Sequence, residues 1–261
     1  MLQICSLGSS YAAGPGIPPL VGQADAMRSG YNYAHLIAQQ LEAQLTDLTS
    51  SGSTLLNIIT EPQTFLFYND TFPPQITGIP EDADIITLTA GGNDLNYIVD
   101  YSWIVGTRLG QKKTSSNAQE SSSLSLEEIG DRLGAVLDEI HKRAPEARIY
   151  LVEYPAVLCP DTRPGLDIPL NQDKMAHHSQ VASKLQKAYS LAAGPRSEWC
   201  ERVPVHERSL SHALGSPGPW LDGLGLLSLI RRGPVLHPHP KGMKAVAEML
   251  LAPIQKHPVL Q

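Results

Sequence analysis

Apolar residues gather at Leu2, Ile4, Cys5 and Leu7 and then give way to LGSSYAAGPG, a pattern that predicts a short buried strand ending in a turn. A loop rich in Gly and Pro follows. YNYAHLIAQQLEAQL, residues 31–45, has helical spacing with Ser29 as its expected N-cap. LTDLTS, about residues 45–50, reads as a second strand, and DIITLTAGGND, residues 84–94, as a third that is β-branched and apolar up to Ala90 and closed by two glycines. ARIYLVEYP, residues 147–155, is a further strand, ended by proline and preceded by the helix-like LEEIGDRLGAVLDEIHKRA. A helix over about residues 170–193 and a last one at KGMKAVAEMLLAPI complete the set.

Strands that alternate with helices of this length predict a parallel sheet covered on both faces, because parallel neighbours need crossover connections. Ligands of such sheets bind at the carboxyl ends of the strands. One domain over residues 1–261 is expected, with GQKKTSSNAQESSS, residues 110–123, as a mobile surface loop too polar to bury.

Composition narrows the function classes. A net charge of -6 with no block of Lys or Arg offers nucleic-acid phosphates nothing to grip, so no nucleic-acid partner is predicted. No apolar run is long enough for a membrane span. Three cysteines, Cys5, Cys159 and Cys200, lack metal or redox spacing. The N-terminal MLQICSLGSS has no basic segment leading into a hydrophobic one, which reads as intracellular as written, or secreted if the N-terminus is trimmed.

The predicted carboxyl ends carry the candidate chemistry. Ser9 and Ser10 follow the first strand, SSGST with Gly52 follows the second, and GGND with Asn93 follows the third. Each alone is ordinary turn chemistry. Together they supply a hydroxyl nucleophile and an oxyanion hole: the N–H groups of Ser10 and Gly52 and the amide of Asn93 could stabilise the negative oxygen that develops when serine attacks an ester carbonyl. A serine needs a base, and VLHPHPKGMKAVAEML places His237 and His239 just before the last helix. An HxH pair is also a possible metal motif, but no third ligand stands at a recognisable spacing, so neither a metal nor any other cofactor is predicted.

On these four ordered motifs, LGSSYAAGPG, SSGST, GGND and HPHPKG, the chain resembles the SGNH hydrolases, also called the GDSL lipase/acylhydrolase family. MRSGYNYAHLIAQQL, LVEYP and SLSHALGSPGPW extend the likeness over nearly the whole chain. The resemblance implies a flavodoxin-like three-layer α/β/α sandwich around a parallel sheet of about five strands. It also implies Ser10 as nucleophile, Ser10, Gly52 and Asn93 as oxyanion hole, and His237 as base, because the family's glycine falls five residues after the base and Gly242 is five after His237. The implied reaction is acyl transfer through an acyl-serine on a small-molecule or lipid ester. Carbohydrate O-acetyl esterase, acyltransferase and non-catalytic binding protein are the competing readings on the same scaffold. The resemblance and the NDT sequon at Asn69 are compatible with secretion.

Two positions depart from the family pattern. Ser9 stands where the family has Asp, and Pro234 stands where its DxxH motif has a carboxylate. A Ser-His dyad is therefore expected, with the Pro234 carbonyl orienting His237; Asp222 is the nearest upstream carboxylate. Asp94 is expected to orient its loop, His212 to be structural, and His177 and His178 to be solvated. Tyr11, Tyr97 and Trp220 are candidates to line an acyl pocket. From relatives of this branch, Cys159 and Cys200 are expected to be able to pair.

Overall fold

The structure, a computed structural model, describes residues 1–65, 70–97, 124–168, 170–223 and 234–256. The predicted loop 110–123 and the Asn69 sequon lie outside them. In chain order, β1 (Gln3–Gly8), α1 (Ser10–Ala13), α2 (Tyr33–Gln40), β2 (Gln44–Asp47) and α3 (Leu55–Ile59) form the first half-sheet. A small antiparallel pair, β3 (Gln63–Thr64) and β4 (Thr71–Phe72), precedes β5 (Ile85–Thr89). Then come α4 (Leu126–Arg143), β6 (Arg148–Val152), α5 (Gln172–Ala193), β7 (Cys200–Val203), α6 (Val205–Arg208) and α7 (Pro240–Ile254).

Alternation within the strands builds two cores. Ile4, Ile85, Tyr150 and Val152 face Tyr33, Ala34 and Ile37 of α2 and Met243, Val246 and Leu250 of α7. Their neighbours Cys5, Leu7, Ile86, Leu88, Ile149 and Leu151 face Leu55 of α3, Leu133, Val136, Leu137 and Ile140 of α4, and Leu185, Ala188 and Tyr189 of α5. A strand buried on both faces is nearly continuously apolar, which is why these strands are so visible in the sequence; the exceptions Ser6 and Thr87 bond one another at 2.9 Å. Among the described residues no helix is long and apolar enough to cross a membrane.

The five main strands are all parallel, in the order β2-β1-β5-β6-β7. Strand order reverses between β1 and β5, so the loops leaving these two strands part there and open a crevice. Gly8 lets β1 run close beside β5 at this end: at φ 140 a Cβ on it would sit 2.3 Å from the Thr89 carbonyl oxygen. The next residue continues the contact, Ser9 N–H donating to Thr89 O at 3.0 Å.

Three local expectations are corrected. Asn32, not Ser29, caps α2, accepting from His35 N–H at 3.0 Å. Ser29 instead accepts from Tyr31 N–H at 2.9 Å within the turn that precedes the helix. Cys159 and Cys200 are both free. Cys200 pairs in register with Ile149 at the amino end of β6, whereas Cys159 lies beyond that strand's carboxyl end, so the length of the sheet separates them. His178 is buried, only His177 being exposed. It falls on the inner stripe Met175, His178, Ala182 and Leu185 of α5, and its ring packs 4.5 Å from that of Tyr97.

Two bonds draw the loop after β2 against the loop after β5. The Asp94 carboxylate accepts from the Leu55 N–H, the first of α3, at 3.0 Å, and the Asn93 amide donates to Ser53 O at 2.8 Å. Burial pushes Asp94 up to about 7, against the opposing pull of the Leu55 N–H. A carboxyl whose folded value is raised adds stability below its unfolded value of 3.8, and that stability is lost as pH rises toward 7. Asp94→Asn keeps an acceptor for Leu55 but carries no charge. The expected outcome is that urea midpoints of wild type fall more steeply between pH 4 and 7 than those of the variant, a difference of up to about 1.4 kcal/mol per pH unit. Parallel curves would show that Asp94 is not held in its neutral form.

Candidate active site

Ser10 opens α1 directly beyond the carboxyl end of β1, at the crevice between β1 and β5. Its hydroxyl lies 2.9 Å from Nε2 of His237, which arrives from the other end of the chain on the loop before α7. Both side chains are buried. The other ring nitrogen, Nδ1, lies 3.1 Å from the Val235 carbonyl oxygen. A carbonyl only accepts, so Nδ1 carries the proton and Nε2 presents a lone pair to the serine hydroxyl.

The orienting carbonyl thus differs by one residue from the expected Pro234. Residues 234–237 form a β-turn in which His237 N–H donates to Pro234 O at 3.3 Å. Its third residue, Leu236, has φ 67, in the left-handed region that a type II turn requires at this position. That geometry engages the Pro234 carbonyl with the main chain and turns the Val235 carbonyl toward the ring. The hydrogen bonds of the His237 ring go to Ser10 and Val235, and none among the described residues goes to a carboxylate. Burial holds the imidazole down at about 4, opposed by the Val235 and Pro234 carbonyls.

Asp222 meets the same loop through its main chain. Its N–H donates to His237 O at 3.0 Å and its carbonyl accepts from Leu236 N–H at 2.7 Å. His239 is committed elsewhere: Nε2 donates to Pro219 O at 2.6 Å, and Nδ1 accepts from Lys241 N–H at 3.2 Å as the N-cap of α7. Gly242, in the first turn of that helix, has no room for a Cβ, which would stand 2.3 Å from the Trp220 carbonyl oxygen.

The loops that carry the predicted oxyanion donors are tied to β1 and to one another. Ser50 N–H donates to Gly8 O at 3.0 Å, and Asn93 donates to Ser53 O at 2.8 Å, so Gly52 sits between a link to the nucleophile strand and a link to the third loop. Neither the Ser10 N–H nor the Gly52 N–H has an acceptor among the described residues. Asn93 spends one amide hydrogen on Ser53, and its NH₂ group has a second.

Ser9, in the family's Asp position, is buried and pairs its hydroxyl with that of Tyr154 at 2.9 Å. The Tyr154 oxygen also accepts from Gly92 N–H at 3.2 Å, linking the nucleophile turn to the GGND loop. Burial raises Tyr154 above the usual phenol range, which keeps it neutral. Sequence reading missed Tyr154, although it stands in the quoted LVEYP. It also missed Gln75, whose side chain bonds the Gly8 N–H at 2.8 Å, Gly8 O at 3.0 Å and the Ser53 hydroxyl at 2.9 Å; no motif marks that glutamine.

The aromatic candidates are packed. Tyr11 and Tyr97 are almost wholly buried, with ring centroids 4.6 and 5.6 Å from that of Tyr154. Trp220 stacks on His212 at 4.3 Å, and His212 Nδ1 bonds Gly218 O at 2.9 Å, so both rings are held by structural contacts.

Comparison with known proteins shows which family and fold the chain shares. Residues 6–245 match the GDSL-like lipase/acylhydrolase family. The chain is 30% identical over 205 residues to Lipase 2 of Streptomyces coelicolor, which covers 74% of this chain and 66% of that relative, so the chain spans about two thirds of the curated relative's length. Among solved structures, the phospholipase A1 of Streptomyces albidoflavus superposes with a TM-score of 0.74 at 18% identity, covering 96% of this chain and 98% of that one. The extracellular lipase of Streptomyces rimosus does so with 0.69 at 20% identity, covering 97% and 99%. At such identities the structures establish the shared fold. With its motifs in order, its five-stranded parallel sheet and a family match that runs over most of its length, the chain belongs to the GDSL-like lipase/acylhydrolase family.

Proposed function

We propose that the protein is a serine esterase that hydrolyses carboxylic esters of lipid or small-molecule alcohols, with Ser10 and His237 acting as a dyad. The observation that carries this reading is the 2.9 Å contact between the Ser10 hydroxyl and a His237 ring whose proton is fixed on Nδ1. In the reaction, Nε2 takes the Ser10 proton as Oγ bonds to the ester carbonyl carbon, and the carbonyl π electrons move to oxygen. The Ser10 and Gly52 N–H groups and the Asn93 amide donate to that oxyanion. Collapse expels the alcohol, which takes the proton from the imidazolium. Water then attacks the acyl-serine with the same histidine as base, releasing the acid and restoring the hydroxyl. The names of the relatives, lipase and phospholipase A1, are in keeping with an ester substrate.

Ser10→Ala is expected to lose hydrolysis of p-nitrophenyl esters and labelling by a fluorophosphonate, with its melting temperature retained because only a hydroxyl is removed. Full activity in that variant refutes the serine mechanism. Its companion test concerns the missing anion: His237→Ala should be nearly inactive, whereas Asp222→Asn should cost far less than the roughly 10⁴-fold loss that follows neutralisation of a triad carboxylate. A loss of that size in Asp222→Asn makes the site a triad.

The pH profile follows from burial. His237 acts in its neutral form, and with its value lowered to about 4 that form persists through neutral and mildly acidic pH. kcat/KM is therefore expected to rise with pH only up to a limb near 4 and to stay level from there to 7. A limb near 6.5 would show that the His237 imidazole is solvated and not buried.

A further inference from the structure

We propose that Tyr11 is a positioning residue for His237, holding the turn that orients the imidazole by donating its hydroxyl hydrogen bond to the Leu236 carbonyl. The inference rests on the Ser10 and His237 reading above. It starts from an improbable residue in the turn: Leu236 is a branched side chain at φ 67, a conformation that favours glycine. Such a residue stays there only if its surroundings over-determine it. Three contacts do so. Its N–H donates to Asp222 O at 2.7 Å, its side chain is wholly buried, and its carbonyl accepts from the Tyr11 hydroxyl.

The turn matters to the base because rotation about the N–Cα bond of Leu236 swings the preceding peptide, and that peptide carries the Val235 carbonyl on which Nδ1 rests. Tyr11 is well placed to prevent this rotation. It follows Ser10 directly in α1, so its hydroxyl ties the histidine turn to the helix that presents the nucleophile. Its ring is fixed between that of Tyr154, 4.6 Å away, and the His237 imidazole, 5.2 Å away and inclined by 43°. The imidazolium formed during attack therefore meets an aromatic ring where the family's usual carboxylate is absent, within the range over which such rings attract a cation. The Tyr11 side chain thereby ties together two groups 227 residues apart in sequence.

Tyr11→Phe in the full chain removes the hydroxyl and keeps the ring. With melting temperature and near-ultraviolet circular dichroism close to wild type, kcat on a p-nitrophenyl ester is expected to fall by about tenfold to a hundredfold, with KM nearly unchanged, because a misplaced base slows chemistry without touching ground-state binding. Labelling of Ser10 by a fluorophosphonate should slow by the same factor. Imidazole ¹⁵N spectra should show one Nδ1–H tautomer of His237 in wild type and a mixture or an exchange-broadened signal in the variant. Wild-type kcat together with an unchanged His237 spectrum overturns the proposal. Leu236→Gly supplies the second arm: glycine adopts the turn unaided, so adding Tyr11→Phe to it should disturb the spectrum less than adding Tyr11→Phe to wild type. An equal disturbance in both backgrounds also overturns the proposal. Where Tyr11→Phe alone does not fold, the double variant carries the test: a mixed or broadened His237 signal in it, set against a single tautomer in Leu236→Gly, overturns the proposal, and a single tautomer in both supports it. The spectrum does not depend on turnover, so a wild type that fails to react with fluorophosphonate defeats the esterase reading while the tautomer still judges Tyr11.

Discussion

The close approach of β1 to β5 at Gly8 is the constraint on which the site depends. With no side chain on Gly8, the ladder between these strands runs on to the bond from Ser9 N–H to Thr89 O, 3.0 Å long. That bond ends the strand where the strand order reverses. The chain must then turn away into α1, and the turn delivers Ser10 into the crevice. A side chain at position 8 would clash with backbone, which cannot step aside as a flexible side chain could, and the nucleophile turn would move with it. The links from Gly8 to Ser50 and Gln75 carry the same point of reference to the loop that holds Gly52.

Around this frame the site is built with little fixed negative charge. Ser9 replaces an aspartate with a hydroxyl paired to a neutral phenol, and Pro234 removes the carboxylate that usually faces the base. Asp94, the acid that joins two of the loops, is itself pushed up to about 7 by burial. A buried imidazole in such surroundings is strongly biased to the neutral form, which is the form a base needs. In the proposed reaction the cost falls on the imidazolium of the transition state, which would have carbonyl dipoles and an aromatic ring for support in place of an anion. The oxyanion of that reaction would form at the same moment, and the two opposite charges would stabilise one another in a medium where attraction is only weakly screened.

Much of this could be read in the sequence because the same residues serve the fold and the chemistry. Strands buried on both faces are nearly continuous apolar runs, and the glycines and polar residues that end them are the residues of the candidate site. What escaped depends on long-range geometry. His178 looks polar in a helix of charged residues, yet its spacing from Met175, Ala182 and Leu185 puts it on the buried stripe. The choice between the Pro234 and Val235 carbonyls turns on one dihedral angle of Leu236, which no residue preference foretells, since leucine is a poor occupant of the left-handed region. The cysteine pair failed for a topological reason: parallel strands put Cys159 and Cys200 at opposite ends of the sheet. Tyr154 had a visible place at the end of a strand, but its partners, Ser9 and the Gly92 N–H, come from two other strand ends.

The spacing that singled out His237 also has a physical explanation in this chain. Residues 220–222 run beside 236–239 as an antiparallel clip, held by His239 N–H to Trp220 O at 3.0 Å, the bridge between Leu221 and Pro238, and Asp222 N–H to His237 O at 3.0 Å. The Trp220 carbonyl that closes this clip also lies where a Cβ on Gly242 would be. The glycine thus lets the first turn of α7 press against the clip, and the cap His239, two residues after His237, fixes the helix start at Pro240. Counting from that start, His237 is the residue that meets Ser10, while His239 has both ring nitrogens bound to the main chain. The interval from base to glycine is therefore the length of chain needed to close a turn, pass through the clip and begin a helix without steric conflict. On this account the glycine acts on the chemistry solely by placing the base, and its requirement is one of backbone packing.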